Sequence, residues 1–432
     1  MRRRRSVRDP RDHVRDGADL RKRIGRGWSI LLQAFRNVTR NARRSAIALG
    51  AVGFGIIAML LAAGFIQDIL HGMREETIET RLGHIQITRA KYLDAGLAAP
   101  FDYLIPDSMP ERKTVEQLPG VVVVSPRLSF NGLISLGETT VSFLADGVEP
   151  EKEQRLAKQL KIVSGQNLAE GEPKSVILGQ GLATSLGAKL GDQVILVANT
   201  EKGGINAVEL VVRGTFSTVT KAYDDVALRL PLRTAQRLLR VQGVHRWVLL
   251  LDRTEHTEAV LATLTKTLDG KQLEVVPWTQ LADFYNKTVL LFSRQVTVMK
   301  LIIAAIIVLS ISNTMMMSVM ERTGEVGTEM ALGNTRHGIL ALFIGEGLLL
   351  GLGGAVVGLL AGLGLAAVIS FFGIPMPPPP GATEGFTAKI LISPALTVQA
   401  LFLAVFTALA ASVYPAWKAS RMIIVDALRH NR

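Results

Sequence analysis

MKLIIAAIIVLSISNTMMMSVM, Met299 to Met320, runs directly into ERTGEVGTEMALGNTRH, Glu321 to His337, and then into a second apolar run from Gly338 to Phe372. At about 1.5 Å of rise per residue, the first run is long enough to cross a hydrocarbon layer of roughly 30 Å as a helix. Its one cation, Lys300, stands at the outer end, where its stem can reach the interface. The polar piece is too short to form a domain. Two spans joined by so short an elbow form an antiparallel pair.

Working outward, the 48% hydrophobic content of the 432 residues is concentrated in four runs: Ala46 to Ile66, Met299 to Met320, Gly338 to Phe372 and Ala395 to Val413. Each is about as long as a membrane crossing requires. The third carries Gly351, Gly353, Gly354, Gly358, Gly362 and Gly364, poor residues for a helix in water but common in spans. A soluble protein with four core helices would have to hide every run and would leave their charged borders unexplained. The fold class expected is an α-helical integral membrane protein of four transmembrane helices with extended stalks and an α+β domain inserted between the first two.

The formal net charge of +12 suggests nucleic acid until its distribution is read. Arginine and lysine crowd residues 1 to 44, and Lys418, Arg421, Arg429 and Arg432 follow the last span. The positive-inside rule then puts both termini in the cytoplasm, with the long segment between the first two spans outside. No recognition fold accompanies the basic residues, so no nucleic-acid partner is expected. The chain has no cysteine, hence no disulfide, lipidated thiol or thiolate metal site. Arg43-Arg44 before an apolar run has the look of a twin-arginine signal, but the run is too long and lacks a cleavage site, which favours an uncleaved anchor.

By segment, residues 1–27 read as a basic, disordered cytoplasmic tail and 28–45 as an interfacial helix with Trp28, Leu31, Leu32, Phe35 and Val38 on one face. Its arginines, Arg36, Arg40, Arg43 and Arg44, are placed on anionic headgroups or beside the next span; the alternative is a plain core helix. Residues 46–81 form the first span and a stalk, 82–280 a periplasmic α+β domain with an outer subdomain near 166–230, and 281–320 a second stalk and span. Residues 321–337 form a cytoplasmic coupling helix, 338–372 the third span, 373–394 a proline-rich periplasmic loop, 395–416 the fourth span and 417–432 a basic cytoplasmic tail. In the domain, short β-branched strands are expected at 84–88, 121–125, 133–136, 141–145, 176–178, 194–197, 208–212, 226–230 and 247–251, with helices at 151–160, 179–187, 232–240 and 255–268.

Within the elbow, Glu321, Glu325 and Glu329 recur every four residues and give an acidic stripe on a short helix that Leu332-Gly333-Asn334 ends. A surface that docks another protein explains a negative cytoplasmic loop better than a solvated loop does. In the third span Gly354, Gly358 and Gly362, extended by Gly347 and Gly351, form a smooth face for close helix packing. Two readings of it stand level: a sliding or dimer seam, and static packing inside one subunit. Glu346 reads as a packed or interfacial carboxylate rather than a proton carrier.

The string ERTGEVGTEMALGNTRHGILALFIGEGLLLGLGGAVVG, the tail YPAWKASRMIIVDALR, the opening LLQAFRNVTRNARRSAIAL, GHIQI and VILGQGLATSLGAKLGDQVIL together resemble the ABC-transporter permeases of the macrolide-exporter and lipoprotein-releasing types. The likeness runs from about residue 28 onward, is specific to that superfamily and looks closest to the lipoprotein-releasing branch; Ile424 or Val425 stands where proline is commonest, and the arginine-rich extension before Trp28 falls outside the pattern. The resemblance implies a permease that dimerises, as a homodimer or a related heterodimer, and couples to a cytoplasmic ABC ATPase dimer through Glu321, Arg322, Glu325, Val326, Gly327, Met330, Ala331, Leu332 and Gly333. It further implies an inner-membrane protein that extracts lipoprotein or lipid-like cargo by mechanotransmission, in contact with membrane lipids and a periplasmic adaptor or carrier. Tripartite efflux of peptides or drugs, or non-transporting control of a periplasmic hydrolase, are the alternatives. ATP and Mg would sit on the partner: the sequence has no G-x-x-x-x-G-K-[ST] loop, since Gly270-Lys271-Gln272 lacks the upstream glycine and the hydroxyl residue. No catalytic residue, bound cofactor or metal is expected; His71, His84, His245, His256 and His337 show no ligand spacing, and no Ser/His/Asp set is present.

Overall fold

A computed structural model describes residues 32–40, 42–96, 99–157, 160–218, 220–377 and 385–423. The expected tail over 1–27, Trp28 and Leu31, the prolines within 378–384 and residues 424–432 lie outside the described residues. The chain divides into two compact units, Met1–Asp68 with Leu291–Ile374 and Ala388–Arg432, and Ile69–Leu290 with Pro375–Thr387.

The first unit is helical: α1 over 32–40, α2 Ala42–Thr77, α3 Asp283–Glu321, α4 Thr323–Ala331, α5 Arg336–Phe372 and α6 Pro394–Ser420. Four of them, α2, α3, α5 and α6, are long and apolar enough to cross a membrane. Helices α2 and α3 contribute residues to both units, and their 36 and 39 residues correspond to rods of about 54 and 58 Å. On α3 the buried residues Ile303, Ile307, Ile311, Met315 and Val319 recur every four positions and give one packing stripe, while Leu301, Ile302, Ile306 and Leu309 stay exposed. Hydroxyls inside the spans find acceptors in their own helix: Thr314 donates to the Ser310 carbonyl at 2.9 Å and Thr407 to the Leu403 carbonyl at 2.6 Å. Helix α6 opens with Ser393, whose side chain accepts from the Leu396 N–H, followed by Pro394 in the first turn. It differs from expectation at its other end, passing through Pro415 and Trp417 to Ser420. Pro415 and Ala416 are buried there, so packing carries the helix on past a residue that would end one in water.

Among the described residues of 69–290 there are twelve strands: β1 Ile85–Arg89, β2 Ile105–Pro106, β3 Val121–Leu136, β4 Thr139–Val148, β5 Lys161–Gly165, β6 Ser175–Gly179, β7 Gln193–Asn199, β8 Ile205–Ser217, β9 Ala227–Pro231, β10 Gly243–Val244, β11 Arg246–Leu251 and β12 Leu273–Pro277. Ten of them form one mixed sheet in the order β12-β1-β11-β3-β4-β9-β6-β8-β5, with β7 bridging β3 and β8. The segment near 166–230 supplies β6 to β9 and is hydrogen-bonded into the same sheet as its flanks. Residues 121–136, expected as two strands, are one, because Pro126 falls just before β4 begins to pair at Arg127 and costs no ladder bond there. Gly132 within it admits β7, since a Cβ would lie 2.2 Å from the Val197 carbonyl.

Both sheet faces are covered where Val123 and Val124 of β3 lie, so these two apolar neighbours are both buried, whereas β7 alternates buried and exposed residues with one face open. Val124, Val176, Leu228 and Leu249 face a core closed by helices Gln180–Leu186, Leu232–Leu239 and Thr257–Thr267. Val123, Ile177, Ala227 and Val248 face a second core that holds Ile78, Leu156, Trp278 and Ala282.

Two histidines are built in as neutral rings. His245, 0% exposed, accepts the Ser129 N–H on Nδ1 at 3.2 Å and faces the Pro100 carbonyl with Nε2 at 3.0 Å. His84, 4% exposed, accepts the Leu251 N–H on Nδ1 at 3.1 Å and meets the Thr254 hydroxyl at 3.1 Å. Protonating Nδ1 would lose a backbone donor its acceptor, and burial lowers both rings to about 4. An unfolded chain takes up these protons from about pH 6.5, so the stability is whole above that value and is lost as the pH falls toward 4, by up to about 3 kcal/mol per ring. In a Trp28→Phe, Trp417→Phe background, the urea midpoint reported by Trp247 and Trp278 should drop between about pH 7 and about pH 4.5. His84→Gln with His245→Gln should flatten the drop, and a pH-independent midpoint before substitution would contradict this account.

Candidate functional site

The elbow is a helix with one buried and one exposed side. Helix α4 stops because Gly333 takes φ +98, which lets its N–H reach the Met330 carbonyl at 3.1 Å while the Asn334 N–H reaches that of Glu329 at 3.0 Å. Helix α5 then starts at Thr335, whose hydroxyl accepts the Gly338 N–H at 3.2 Å. Val326 and Gly327 face inward, and Val326 joins the core of Ile339, Phe343, Met315 and Val319; Met330 is half-buried against it. Thr328, Ala331, Leu332 and Gly333 face outward, with Leu332 84% exposed.

Arg322 is the centre of the buried side. Only 6% exposed, it donates from Nη1 to Glu346 Oε1 at 2.8 Å and from Nε to Glu325 Oε2 at 3.1 Å, and its guanidinium lies 5.6 Å from the Phe343 ring centroid. Glu346, 3% exposed in α5, also accepts Asn37 Nδ2 from α1 at 2.7 Å. Glu325 accepts Arg40 Nη2 on both oxygens at 2.8 Å, and Arg44 of α2 pairs with Glu321 at the end of α3. Arg40, and after it Arg322, hold the Glu325 carboxyl below the usual carboxylate range.

Of the residues expected to couple to an ATPase, Arg322, Val326 and Gly327 are therefore internal braces, and Met330 is half-buried. Glu321 and Glu325 keep about half their side chains exposed but are neutralised by the chain's own arginines, so the acidic stripe is not a free negative surface. Glu329 accepts from Asn334 Nδ2 at 3.2 Å. The exposed tip is Ala331-Leu332-Gly333. Asn37, Arg40, Arg44 and Glu346 were not expected in this site; Arg40 and Arg44 are drawn to carboxylates where the sequence suggested lipid headgroups. A signal existed in the matched four-residue spacing of Arg40 with Arg44 and of Glu321 with Glu325, but nothing local says that segments so far apart in the chain meet.

The glycine face of α5 is covered by the chain itself. A Cβ on Gly347 or Gly351 would lie 2.5 Å from Ser412 Cβ or 2.3 Å from Ala408 Cβ of α6. On Gly354 it would meet Val52 at 2.6 Å, on Gly358 the Gly53 carbonyl at 2.6 Å, and on Gly362 Leu60 at 2.9 Å, all of α2. These five glycines let α2 and α6 of the same chain approach α5 closely.

Two family models match the sequence: FtsX-like permease C-terminal over residues 297–424, and MacB-like periplasmic core domain over residues 45–267. The chain belongs to the MacB/FtsX family of permeases. Its relatives include the lipoprotein-releasing system transmembrane protein LolC of Xylella fastidiosa, 26% identical over 72% of this chain and 78% of that protein. An uncharacterized ABC transporter permease of Methanocaldococcus jannaschii is 26% identical over 79% of this chain and 84% of its own. The macrolide export ATP-binding/permease protein MacB of Bordetella avium is 23% identical over 95% of this chain and 61% of that protein. This MacB/FtsX-type permease is thus the multi-pass permease component of an ABC-type transporter, and the C-terminal model includes the whole elbow.

Removing Arg322 leaves Glu346 buried without its counter-charge, whereas the exposed Arg44 pair can be lost to water. Arg322→Met should cost about 3–5 kcal/mol of stability, read as thermal or denaturant midpoints in detergent, whereas Arg44→Met should leave the midpoint almost unmoved. Equal costs would show that Arg322 is not the internal brace.

Proposed function

We propose that this chain is the membrane subunit through which a separate cytoplasmic ABC ATPase dimer, carrying ATP and Mg, moves an α+β domain on the periplasmic side. The observation that supports it best is the elbow: an apolar tip, Leu332, exposed on a short helix that a buried ion pair fixes to the spans. A tip so held cannot yield independently when pushed, so displacement of α4 passes into α3 and α5. Single apolar side chains in a partner's pocket are how interfaces concentrate their energy.

In this reading the termini are cytoplasmic, because the arginine-rich ends flank the spans. The permease works as a pair, with exposed residues of α3 such as Leu301 and Ile306 available to a second copy or a related chain. The cargo is lipoprotein or a lipid-like amphiphile taken from the inner membrane, with a periplasmic carrier receiving it; relatives named for lipoprotein release support that class. The macrolide-export relatives favour one second reading, efflux of small amphiphiles by the same motion.

Leu332→Glu tests the docking face without touching the buried network. With the ATPase that co-purifies from the native membrane, affinity should fall about 30-fold, the equivalent of about 2 kcal/mol, and stimulated hydrolysis should be lost while the thermal midpoint stays put. Undiminished stimulation would overturn the docking assignment. Cargo is read separately, by mass spectrometry of lipids and acylated proteins released on ATP addition, where release of drugs or peptides instead would support the second reading.

A further inference from the structure

Helix α2 does not end as helices usually end. Its last turn widens into a π-helical segment, Ile78–Leu82, closed by Gly83 at φ +66, whose N–H reaches the Ile78 carbonyl at 2.8 Å. A helix terminus leaves its last carbonyls without partners, and they carry the negative end of the macrodipole. Here side chains from three strands of the sheet take them. Arg229 of β9 donates from Nη2 to the Thr80 carbonyl at 2.9 Å, Arg127 of β3 from Nη1 to the Arg81 carbonyl, and Gln86 of β1 from Nε2 to the Leu82 carbonyl at 2.8 Å.

None of these donors is a surface group: Arg127 and Arg229 are each 1% exposed and Gln86 is 3%. Both guanidiniums share Glu153, which accepts Arg127 at 2.7 Å and Arg229 at 3.0 Å, while Arg246 answers Asp146 at 3.1 Å. Arg127 and Arg229 thus share a single carboxylate, so among the described residues this buried pair carries one positive charge that no hydrogen-bonded anion meets, while Arg246, partly exposed, is matched by Asp146. The carbonyl end of the stalk is what faces that surplus. Drawing the stalk away would strand a buried cation, so the contact resists tension far better than apolar packing alone.

We infer that Gln86, Arg127 and Arg229, with Glu153 fixing the two arginines, form a socket that grips the carbonyl end of the first stalk and makes stalk and sheet one mechanical body. The inference deepens the proposed transmission of movement and rests on that reading for its purpose. The socket residues are positioning residues: they act on the backbone of the stalk and touch no cargo.

The chain has no cysteine, so spin labels can be placed cleanly at Gly72→Cys on the stalk, where a Cβ meets nothing within 4 Å, and Glu138→Cys on the exposed turn between β3 and β4. Pulsed electron–electron resonance on the full permease in phospholipid nanodiscs, without ATPase, should give a single narrow distance peak. Arg229→Gln should abolish that peak, and so should Arg127→Gln with Glu153→Gln, which removes one charge of each sign; near-ultraviolet circular dichroism should stay native. Gln86→Leu, which alters no charge, should broaden the peak less and provides a variant independent of the ion network. A broad distribution in the wild-type pair, or an unchanged narrow peak in folded variants, would overturn the socket. Because no ATPase is present, that failure would leave the transport reading standing. Loss of ATPase coupling with an intact narrow peak would do the reverse.

Discussion

A guanidinium held away from water must be met by an anion or by aimed carbonyls, because stripping its hydration costs several kcal/mol that nothing apolar returns. Arg322 meets that condition through Glu346 and Glu325, and the rest of the elbow follows from it. Glu346 ties the start of α5 to Arg322 and, through Asn37, to α1; Glu325 ties α4 to Arg40. A short polar linker, which on its own would be free to pivot, becomes a fixed bracket with its apolar tip turned outward. The proposed coupling to an ATPase needs such a part: rigid towards the spans and adhesive towards a partner.

The same physics recurs in the α+β unit with a different acceptor. There two buried arginines share one carboxylate, Glu153, and backbone carbonyls at the end of a helix take their remaining N–H groups. Between ionic fixings of this kind the spans need only stay stiff and close-packed. The five glycines of α5 allow that by letting α2 and α6 approach until no Cβ would fit. Small residues do this work in a membrane because lipid gives helices no hydrophobic reason to associate.

Much of this was legible in the sequence wherever the signal is local. Unbroken apolar runs mark the spans, Leu332-Gly333-Asn334 marks the end of α4, and short β-branched runs with Gly and Asp turns mark most strands of the sheet. The site was half legible. The elbow could be picked out, but its acidic residues read as a free surface because their partners, Arg40 and Arg44, lie at the other end of the chain. An arginine beside an apolar run looks the same whether it meets a phosphate or a carboxylate. Residues 121–136 read as two strands and the fourth span as ending at 416, because a proline's cost depends on whether its missing N–H had a partner to lose, which is decided by neighbours the local sequence does not contain. The strands β5 and β12 were passed over for lack of a long apolar run, and they sit at the two edges of the sheet, where less of each strand needs covering.

The central claim is that force made by a nucleotide-hydrolysing neighbour enters this chain at the tip of α4. The most direct measurement is photo-crosslinking in intact cells from a benzophenone amino acid placed at Leu332, with the captured peptide identified by mass spectrometry. The account predicts a cross-link to a cytoplasmic ATPase that changes in yield when ATP is depleted. Capture of periplasmic proteins, or of lipid alone, would contradict it.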